Sequence, residues 1–124
     1  MREILFRGIR EDNGKWLISN SVLHIDNSRV ALWAKQGGWR EVLPDTVGQY
    51  SGNRDKNSKQ IFEGDIIVLY GHAQEAAPVI YEDLCFGIDS DLCALCAAEE
   101  KEIEVIGNIY DNPDLLEVKH DGDR

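Results

Sequence analysis

The segment VGQYSGNRDKNSKQIFEGDIIVL, residues 47–69, contains the strongest strand and turn signals of the chain. Its middle part, residues 51–59, has no apolar side chain and is rich in Asn and Asp, which favour turns because their side chains hydrogen-bond to nearby backbone groups. Residues 66–70, IIVLY, form a continuous apolar run that predicts a buried strand. Gly64 precedes this run, where a strongly bent sheet needs a residue without Cβ. The segment therefore predicts short strands joined by tight turns.

A second apolar segment, residues 103–110, reads IEVIGNIY and predicts another strand. Asn112-Pro113 then begins a final helical turn, since proline is favoured at the first position of a helix. Both apolar segments are too apolar for edge strands, which proteins usually blunt with charge or proline. We therefore expect the two segments to lie inside one sheet, with Phe62 and Tyr110 near its core.

The other predicted strands are short apolar or alternating runs bounded by Gly, Pro, Asn or acidic turns. They cover residues 3–9, 15–18, 28–35, 39–43, 47–50, 78–81 and 84–88. Asn13-Gly14 favours the positive dihedral angles of a two-residue hairpin turn, which would join the first two of these strands.

The sequence predicts one short helix, over residues 89–102, which Asp89 or Ser90 can cap. One face of this helix is apolar and carries Leu92, Leu95 and Cys96. With 124 residues, the chain fits one domain. Many short strands and little helix indicate a mainly β domain over residues 1–116, in which a small, strongly bent antiparallel sheet curls into a barrel with one or two short helices. Residues 117–124 predict a polar tail.

The charge of the chain is divided unevenly. Its net charge is −10, but residues 1–60 contain ten Lys or Arg against seven Asp or Glu, whereas residues 61–124 contain three against sixteen. An acidic C-terminal half opposes nonspecific nucleic-acid binding, because contacts with phosphates need cations. No apolar run reaches the length of a membrane helix, and the charged N-terminus does not resemble a signal peptide. We expect a cytoplasmic protein with neither nucleic acid nor a membrane as partner.

Two groups of residues could carry chemistry. Glu63-Gly64-Asp65, together with Asp55, could act as acid and base or bind a cation, but no nucleophile, base and orienting group come together in the sequence. A turn before a strand uses the same residues, with Asp as a local hydrogen-bond acceptor. Three cysteines and His72 could bind zinc, but only one close pair exists where structural zinc needs four ligands. The cysteines are Cys85, Cys93 and Cys96. We expect buried thiols, no catalytic residue, no metal and no cofactor.

Three tryptophans, Trp16, Trp33 and Trp39, could stack on bases if they were exposed beside Lys35 and Arg40. They fall in segments with strand alternation. We therefore expect them to fill the core or a subunit interface.

About two thirds of the chain resembles the YopX family, small proteins of bacteriophages and prophages. The resemblance rests mainly on QYSG at 49–52, DKN at 55–57, IFEGDI at 61–66 and IGNIY at 106–110. The family-motif residues, most of which we interpret as structural, are Tyr50, Gly52, Asp55, Asn57, Phe62, Gly64, Asp65, Gly107, Asn108, Tyr110, Asn112 and Pro113. Where similar sequences often have Asn-Gly, this chain has Asn57-Ser58, which leaves open whether Asn57 takes the left-handed conformation of the turn.

The resemblance implies a phage or prophage origin and a β-rich fold with a small SH3-like barrel, but no established activity. We expect a noncatalytic accessory protein of the bacterial host cytoplasm that acts through protein–protein contacts. Self-association as a homo-oligomer is the expected form, because exposed strand edges need cover, and a host or phage protein is a further possible partner. The alternative function is an acidic inhibitor that imitates nucleic acid and binds a host DNA-binding protein. That alternative requires the acids of residues 82–104 to form one continuous exposed stripe.

Overall fold

The computed structural model of the protein describes residues 3–70, 76–82, 85–88, 95 and 99–116. Strands contain 53% of these residues, so the predicted mainly β class is confirmed. Contacts divide the chain into two compact units, residues 1–50 and 51–124. The prediction of a single domain over residues 1–116 stays a prediction, and residues 117–124 lie outside the described residues.

The first unit opens with an antiparallel pair, β1 (Phe6–Ile9) and β2 (Trp16–Ser19), as the sequence predicts. The connection is longer than the predicted two-residue turn, because the Arg10 N–H donates to the Lys15 carbonyl across four intervening residues. Gly14 has a positive φ of 72°, whereas Asn13 does not. A two-residue turn with both central dihedrals positive is therefore wrong.

A second sheet of the first unit has the strand order β3 (Val22–His24), β4 (Val30–Ala34), β5 (Gly38–Val42). The sequence predicts β4 and β5 but not β3, which is only three residues long. Strand β4 pairs antiparallel with both β3 and β5. A 3₁₀ turn, Pro44–Thr46, follows β5, and β6 (Gly48–Arg54) then begins beside β1.

In the second unit, β6 pairs with β7 (Gln60–Phe62). Because β6 continues to Arg54, the predicted loop over residues 51–59 is too long by four residues. The next strand, β8 (Asp65–Leu69), belongs to a different sheet from β6 and β7. The change of sheet takes place at Glu63-Gly64.

Strand β8 is the centre of a three-stranded antiparallel sheet. The strands β9 (Ala77–Pro78), β10 (Ile80–Glu82) and β11 (Cys85–Gly87) follow β8 along the chain, and β12 (Ile103–Asn108) comes last. β8 lies between β12 and β9, while β10 pairs with β11. The two apolar segments of the sequence therefore share one sheet, as predicted. The predicted inner position is confirmed for β8. It is wrong for β12, which is a terminal strand of this sheet.

The core of the second unit is a cluster of buried apolar side chains from several strands. Its members are Ile61, Ile67, Leu69, Val79, Phe86, Ile88, Leu95 and Ile103. Leu95 is helical and buried, which agrees with its place on the apolar face of the predicted helix, but most of residues 89–98 lie outside the described residues. Residues 100–102 form a 3₁₀ turn and residues 114–116 a helical turn.

The described strands form several separate antiparallel sheets and no closed barrel, so the SH3-like barrel is not confirmed. Within the described residues, no helix is long and apolar enough to cross a membrane.

Candidate functional site

The Asp55 carboxylate joins the turn after β6 to strand β12. Its Oδ1 accepts the N–H groups of Asn57 (2.8 Å) and Lys59 (2.9 Å), and its Oδ2 accepts the N–H of Val105 (3.0 Å). The Lys56 N–H donates to the Ile103 carbonyl at 2.8 Å. These contacts lie on the edge of β12 that faces away from β8. The 55–59 turn thus covers the edge of an apolar terminal strand.

Burial and hydrogen bonding shift the pKa of the Asp55 carboxyl group in opposite directions. Its side chain is only 2% exposed, and this desolvation raises the pKa of the carboxyl group. The hydrogen bonds from the N–H groups of Val105, Lys59 and Asn57 stabilise the charged form and outweigh desolvation, so the pKa is lowered overall. Asp55 is therefore a buried carboxylate with a structural task.

The left-handed residue of this turn is Ser58, with φ of 65°, and not Asn57. The question that the sequence leaves open is therefore answered against Asn57. Ser58 stands where similar sequences often have glycine, and its Cβ makes this conformation unfavourable. The Ser58 N–H nevertheless donates to the Asp55 carbonyl at 2.9 Å, which closes the turn.

Ser58→Gly is expected to stabilise the protein by about 0.5–1 kcal/mol, because glycine adopts a positive φ without strain. Urea unfolding would measure the gain. Ser28→Gly, at an exposed serine without positive φ, is the matched control and should give no gain. Equal midpoints for Ser58→Gly and the parent protein would contradict the assignment of strain to Ser58.

Gly64 forms the corner between β7 and β8, and its φ is +91°. Its N–H donates to the Val79 carbonyl and its carbonyl accepts the Ile109 N–H, both at 2.9 Å. A Cβ at this position would come within 3.1 Å of the Tyr110 ring. The predicted kink before the strongest strand is therefore confirmed, and it forms part of the contact between the two motif segments.

Gly64→Val should destabilise the protein by about 1–3 kcal/mol through backbone strain. Thermal melting measures the loss. Gly14→Val provides the matched control, because Gly14 also has a positive φ but a Cβ there would have no atom within 4 Å. Gly64→Val should cost more than Gly14→Val, since only Gly64 faces Tyr110. An unchanged melting midpoint for Gly64→Val would refute the assignment of the kink.

Asp65 closes the same corner. It is 1% exposed, and its Oδ2 accepts the Phe62 N–H at 2.8 Å. The prediction that this Asp serves as a local hydrogen-bond acceptor is confirmed. Phe62 is buried, whereas Tyr110 is half-buried.

The motif residues after β12 build a turn of their own. The Asn108 Oδ1 accepts the N–H groups of Tyr110 (3.0 Å) and Asp111 (2.9 Å), and the Asn112 Oδ1 accepts the Asn108 N–H (3.2 Å). A Cβ on Gly107 would lie 2.6 Å from the Asn112 Oδ1. The side-chain oxygens of both asparagines are therefore bonded to backbone of this turn.

The remaining motif residues lie in β6 and at the end of the chain. Tyr50 is buried in β6, Gly52 has a positive φ of 89°, and Pro113 is exposed beside the last helical turn. Within the described residues, no group of three or more His, Cys, Asp or Glu could hold a metal ion. Cys93, Cys96 and His72 lie outside that part of the chain. The motif residues whose hydrogen bonds form a frame are therefore Asp55, Gly64, Asp65, Asn108 and Asn112.

A different surface offers exposed groups for binding. Trp33 and Trp39 are 45% and 41% exposed, and their rings make an edge-to-face contact with centroids 5.3 Å apart. The expectation that they fill the core is therefore wrong, while the alternative of a subunit interface stays open. Trp16 is half-buried, and the Arg7 guanidinium lies 4.5 Å from the centre of its ring.

The two exposed tryptophans share one face of the β3–β4–β5 sheet. Trp33 is paired with Trp39, and Leu23 and Glu41 flank Ala31 in the same register. We call this surface the aromatic face; its residues are Leu23, Ile25, Ala31, Trp33, Trp39 and Glu41. Leu23 and Ile25 are also exposed. Exposed apolar surface of this kind marks interaction sites.

One end of the aromatic face contains an acidic cleft of about 520 Å³. Three carboxylates and three apolar side chains line this cleft, and no cationic side chain is among the lining residues. They are Glu11, Asp12, Ile25, Ala31, Trp39 and Glu41. Arg10 binds Asp12 at 2.7 Å, and this hydrogen bond lowers the pKa of the Asp12 carboxyl group despite an opposing desolvation. Arg29 lies 3.8 Å from Glu41 but also binds Asp26 at 3.0 Å.

A family model described as "YopX protein" matches residues 5–117, nearly the whole chain. The chain belongs to the YopX family. Membership confirms the resemblance that the motif segments indicate. In this YopX protein, hydrogen bonds of those segments hold the turns and strands around β8 and β12 in place.

One solved structure similar to this YopX chain is the crystal structure of protein EF1440 from Enterococcus faecalis. The identity is 24%, the match covers 94% of this chain and 99% of that one, and the TM-score is 0.58. At this identity the likeness concerns the fold alone. No curated protein matches the chain.

Proposed function

We propose that this YopX protein is a noncatalytic accessory protein of a bacteriophage or prophage, which acts through protein–protein contacts and assembles with copies of itself. The observation that carries the proposal is the exposed tryptophan pair on the aromatic face. Tryptophan is enriched in the energetic centres of protein interfaces, because a large ring loses much contact with water at little entropic cost. A folded chain gains little from keeping two such rings in solvent.

The motif carboxylates support the noncatalytic part of the proposal. Asp55 accepts three backbone N–H groups, and Asp65 accepts one within its own turn. Such bonds stabilise the charged carboxylate and fix it in place, whereas a general acid or base needs a proton that it can exchange with substrate.

The edge of the three-stranded sheet supports self-association. β3 is a terminal strand, and the described residues give its outer edge no hydrogen-bonded neighbour. Unpaired strand edges and exposed apolar faces are the two surfaces that proteins usually cover.

The alternative, a mimic of nucleic acid, is weakened by two of the described acids of residues 82–104. Glu99 lies 3.4 Å from Lys101, and Glu104 lies 3.6 Å from Lys56. These lysines offset part of the negative charge that a mimic would display. Glu82 is the last residue of β10, and Asp83, Asp89 and Asp91 lie outside the described residues.

Light scattering of the purified protein at micromolar concentration tests the proposal. The parent protein should have the mass of an oligomer, and the double variant Trp33→Ser, Trp39→Ser should have the mass of one chain. Tyr81→Ser removes another exposed aromatic ring and should leave the oligomer intact. A clean monomer for the parent protein removes self-association from the proposal, and an oligomer that survives the double variant removes the aromatic face.

A further inference from the structure

We propose that the aromatic face is a two-fold interface in which Lys35 of each copy enters the acidic cleft of the other. This inference deepens the proposed function and rests on it, since it names the occupant of the aromatic face as a second copy of this chain. Two features of the structure carry it: the charge of the cleft and the order of residues along β4.

In the described part of the chain, the cleft offers one carboxylate without an ion pair, Glu11, beside two that already have arginine neighbours, Arg10 at Asp12 and Arg29 at Glu41. Its lining combines Glu11, Asp12 and Glu41 with Trp39 and with Ala31, which is only 1% exposed. A lysine can lay its apolar stem along the tryptophan and place its ammonium among the carboxylates. Within the described residues, Glu11 makes no ion pair and no side-chain hydrogen bond, so one carboxylate is available without breaking an existing bond.

The same chain presents such a lysine at the other end of the face. Lys35 is the first residue of the turn after β4, two positions beyond Trp33, and the alternation of Ala31 and Trp33 extended by one step assigns it to the end of the aromatic side. Lys35 comes directly after the end of β4, is exposed, and makes no ion pair within the described residues. Ala31 and Lys35 are each two residues from Trp33, on opposite sides of it in sequence, and two residues of extended strand span about 7 Å.

These positions are self-complementary under a two-fold rotation. If two copies pack face to face with the rotation axis across β4 at Trp33, residue 31 of one copy faces residue 35 of the other. The tryptophans then meet at the axis, and each Lys35 faces the cleft floor, Ala31, of the opposite copy. A two-fold interface repeats every contact, so both clefts are filled at once.

Charge exchange between copies tests this arrangement. One variant is Lys35→Glu, and the other is Glu11→Lys with Glu41→Lys. Each variant alone places like charges against each other at both contacts, so its dimer dissociation constant should rise at least tenfold over the parent protein. Mixed in equal amounts, the two variants should form a heterodimer, because both of its contacts are again between opposite charges. Native mass spectrometry distinguishes heterodimers from homodimers when one variant is isotopically labelled.

The control is Lys15→Glu, which changes the same charge at an exposed lysine outside the aromatic face and should dimerise like the parent protein. Zero-length carbodiimide coupling of the parent dimer adds a measurement that needs no variant. It should join Lys35 of one copy to Glu11, Asp12 or Glu41 of the other.

The inference and the proposed function can fail separately. If the parent protein is a dimer through Trp33 and Trp39 but charge exchange restores no heterodimer and coupling does not involve Lys35, the inference is overturned and the proposed function stands. If the parent protein is a monomer, both the inference and the self-association that it rests on are overturned. A heterodimer that forms equally with Lys15→Glu in place of Lys35→Glu would also overturn the inference.

Discussion

Ile67→Asp should unfold the unit formed by residues 51–124 at room temperature. Ile67 lies in the middle of β8, between β12 and β9, and is 1% exposed. A carboxylate placed there without a partner costs several kcal/mol, roughly the whole stability of a small domain, which is about 5–15 kcal/mol. Circular dichroism and urea unfolding at 25 °C would reveal the loss of structure.

Two controls separate burial from other effects of this substitution. Ile67→Val keeps the site apolar and should cost only about 0.5–1.5 kcal/mol. Ile106→Asp introduces the same charge on β12, at a residue that is 38% exposed and lies at the register shift opposite β8. It should melt close to the parent protein. If Ile67→Asp itself melts like the parent protein, β8 is exposed and the motif must be reinterpreted as a binding surface.

Asp55→Ala should destabilise the protein by about 3–5 kcal/mol, the second largest effect that we expect. The substitution removes the acceptor of three N–H groups, and hydrogen bonds to a charged group contribute about 1.5–3 kcal/mol each without being fully additive. It also frees the 55–59 turn from Val105. Urea unfolding at neutral pH gives the value. A loss below about 1 kcal/mol would mean that water replaces the carboxylate in the turn.

The pH dependence of stability is an independent test of the stabilisation that the Asp55 carboxylate provides. The pKa of Asp55 is lower in the folded protein than its usual value of about 3.9, so folding favours the charged form. The resulting stabilisation is fully present above that unfolded value and is lost as the pH falls through the folded pKa. The stability difference between the parent protein and Asp55→Asn should therefore shrink as the pH falls below about 4. A constant difference over this range would contradict the lowered pKa.

Within the second unit, the sequence predicts the apolar segments better than the polar one, for physical reasons. The apolar run of β8 is stable only when it is buried. A glycine directly before such a run is typical of a sharp bend in the chain. The two segments therefore indicate their own pairing. By contrast, the polar residues 51–54 continue β6 because a backbone partner is available in β7, and side-chain pattern alone cannot reveal such a partner.

The aromatic face illustrates what side-chain pattern cannot decide. β4 is apolar on both sides, with Leu32 buried on one and Trp33 exposed on the other. Alternation separates the two sides but does not tell which of them faces the core, and a shift by one residue would exchange them. The sequence also does not reveal the acidic cleft, because Glu11 and Glu41 are thirty residues apart and are brought together by backbone pairing of their segments, which includes the Glu11 N–H to Glu41 carbonyl bond and the Arg10–Val42 bridge.

The cover of β12 by the 55–59 turn has a consequence for solubility. Without that turn, the Ile103 carbonyl and the Val105 N–H would form part of an open edge on a strand rich in isoleucine and valine. Such an edge is a template on which further chains can add as strands, and the growing product is an amyloid-like aggregate. Asp55 and Lys56 therefore act as gatekeepers that keep an obligatory apolar strand from recruiting other chains. A loosened turn should then first become visible as precipitation that depends on protein concentration, at temperatures where the rest of the unit is still folded.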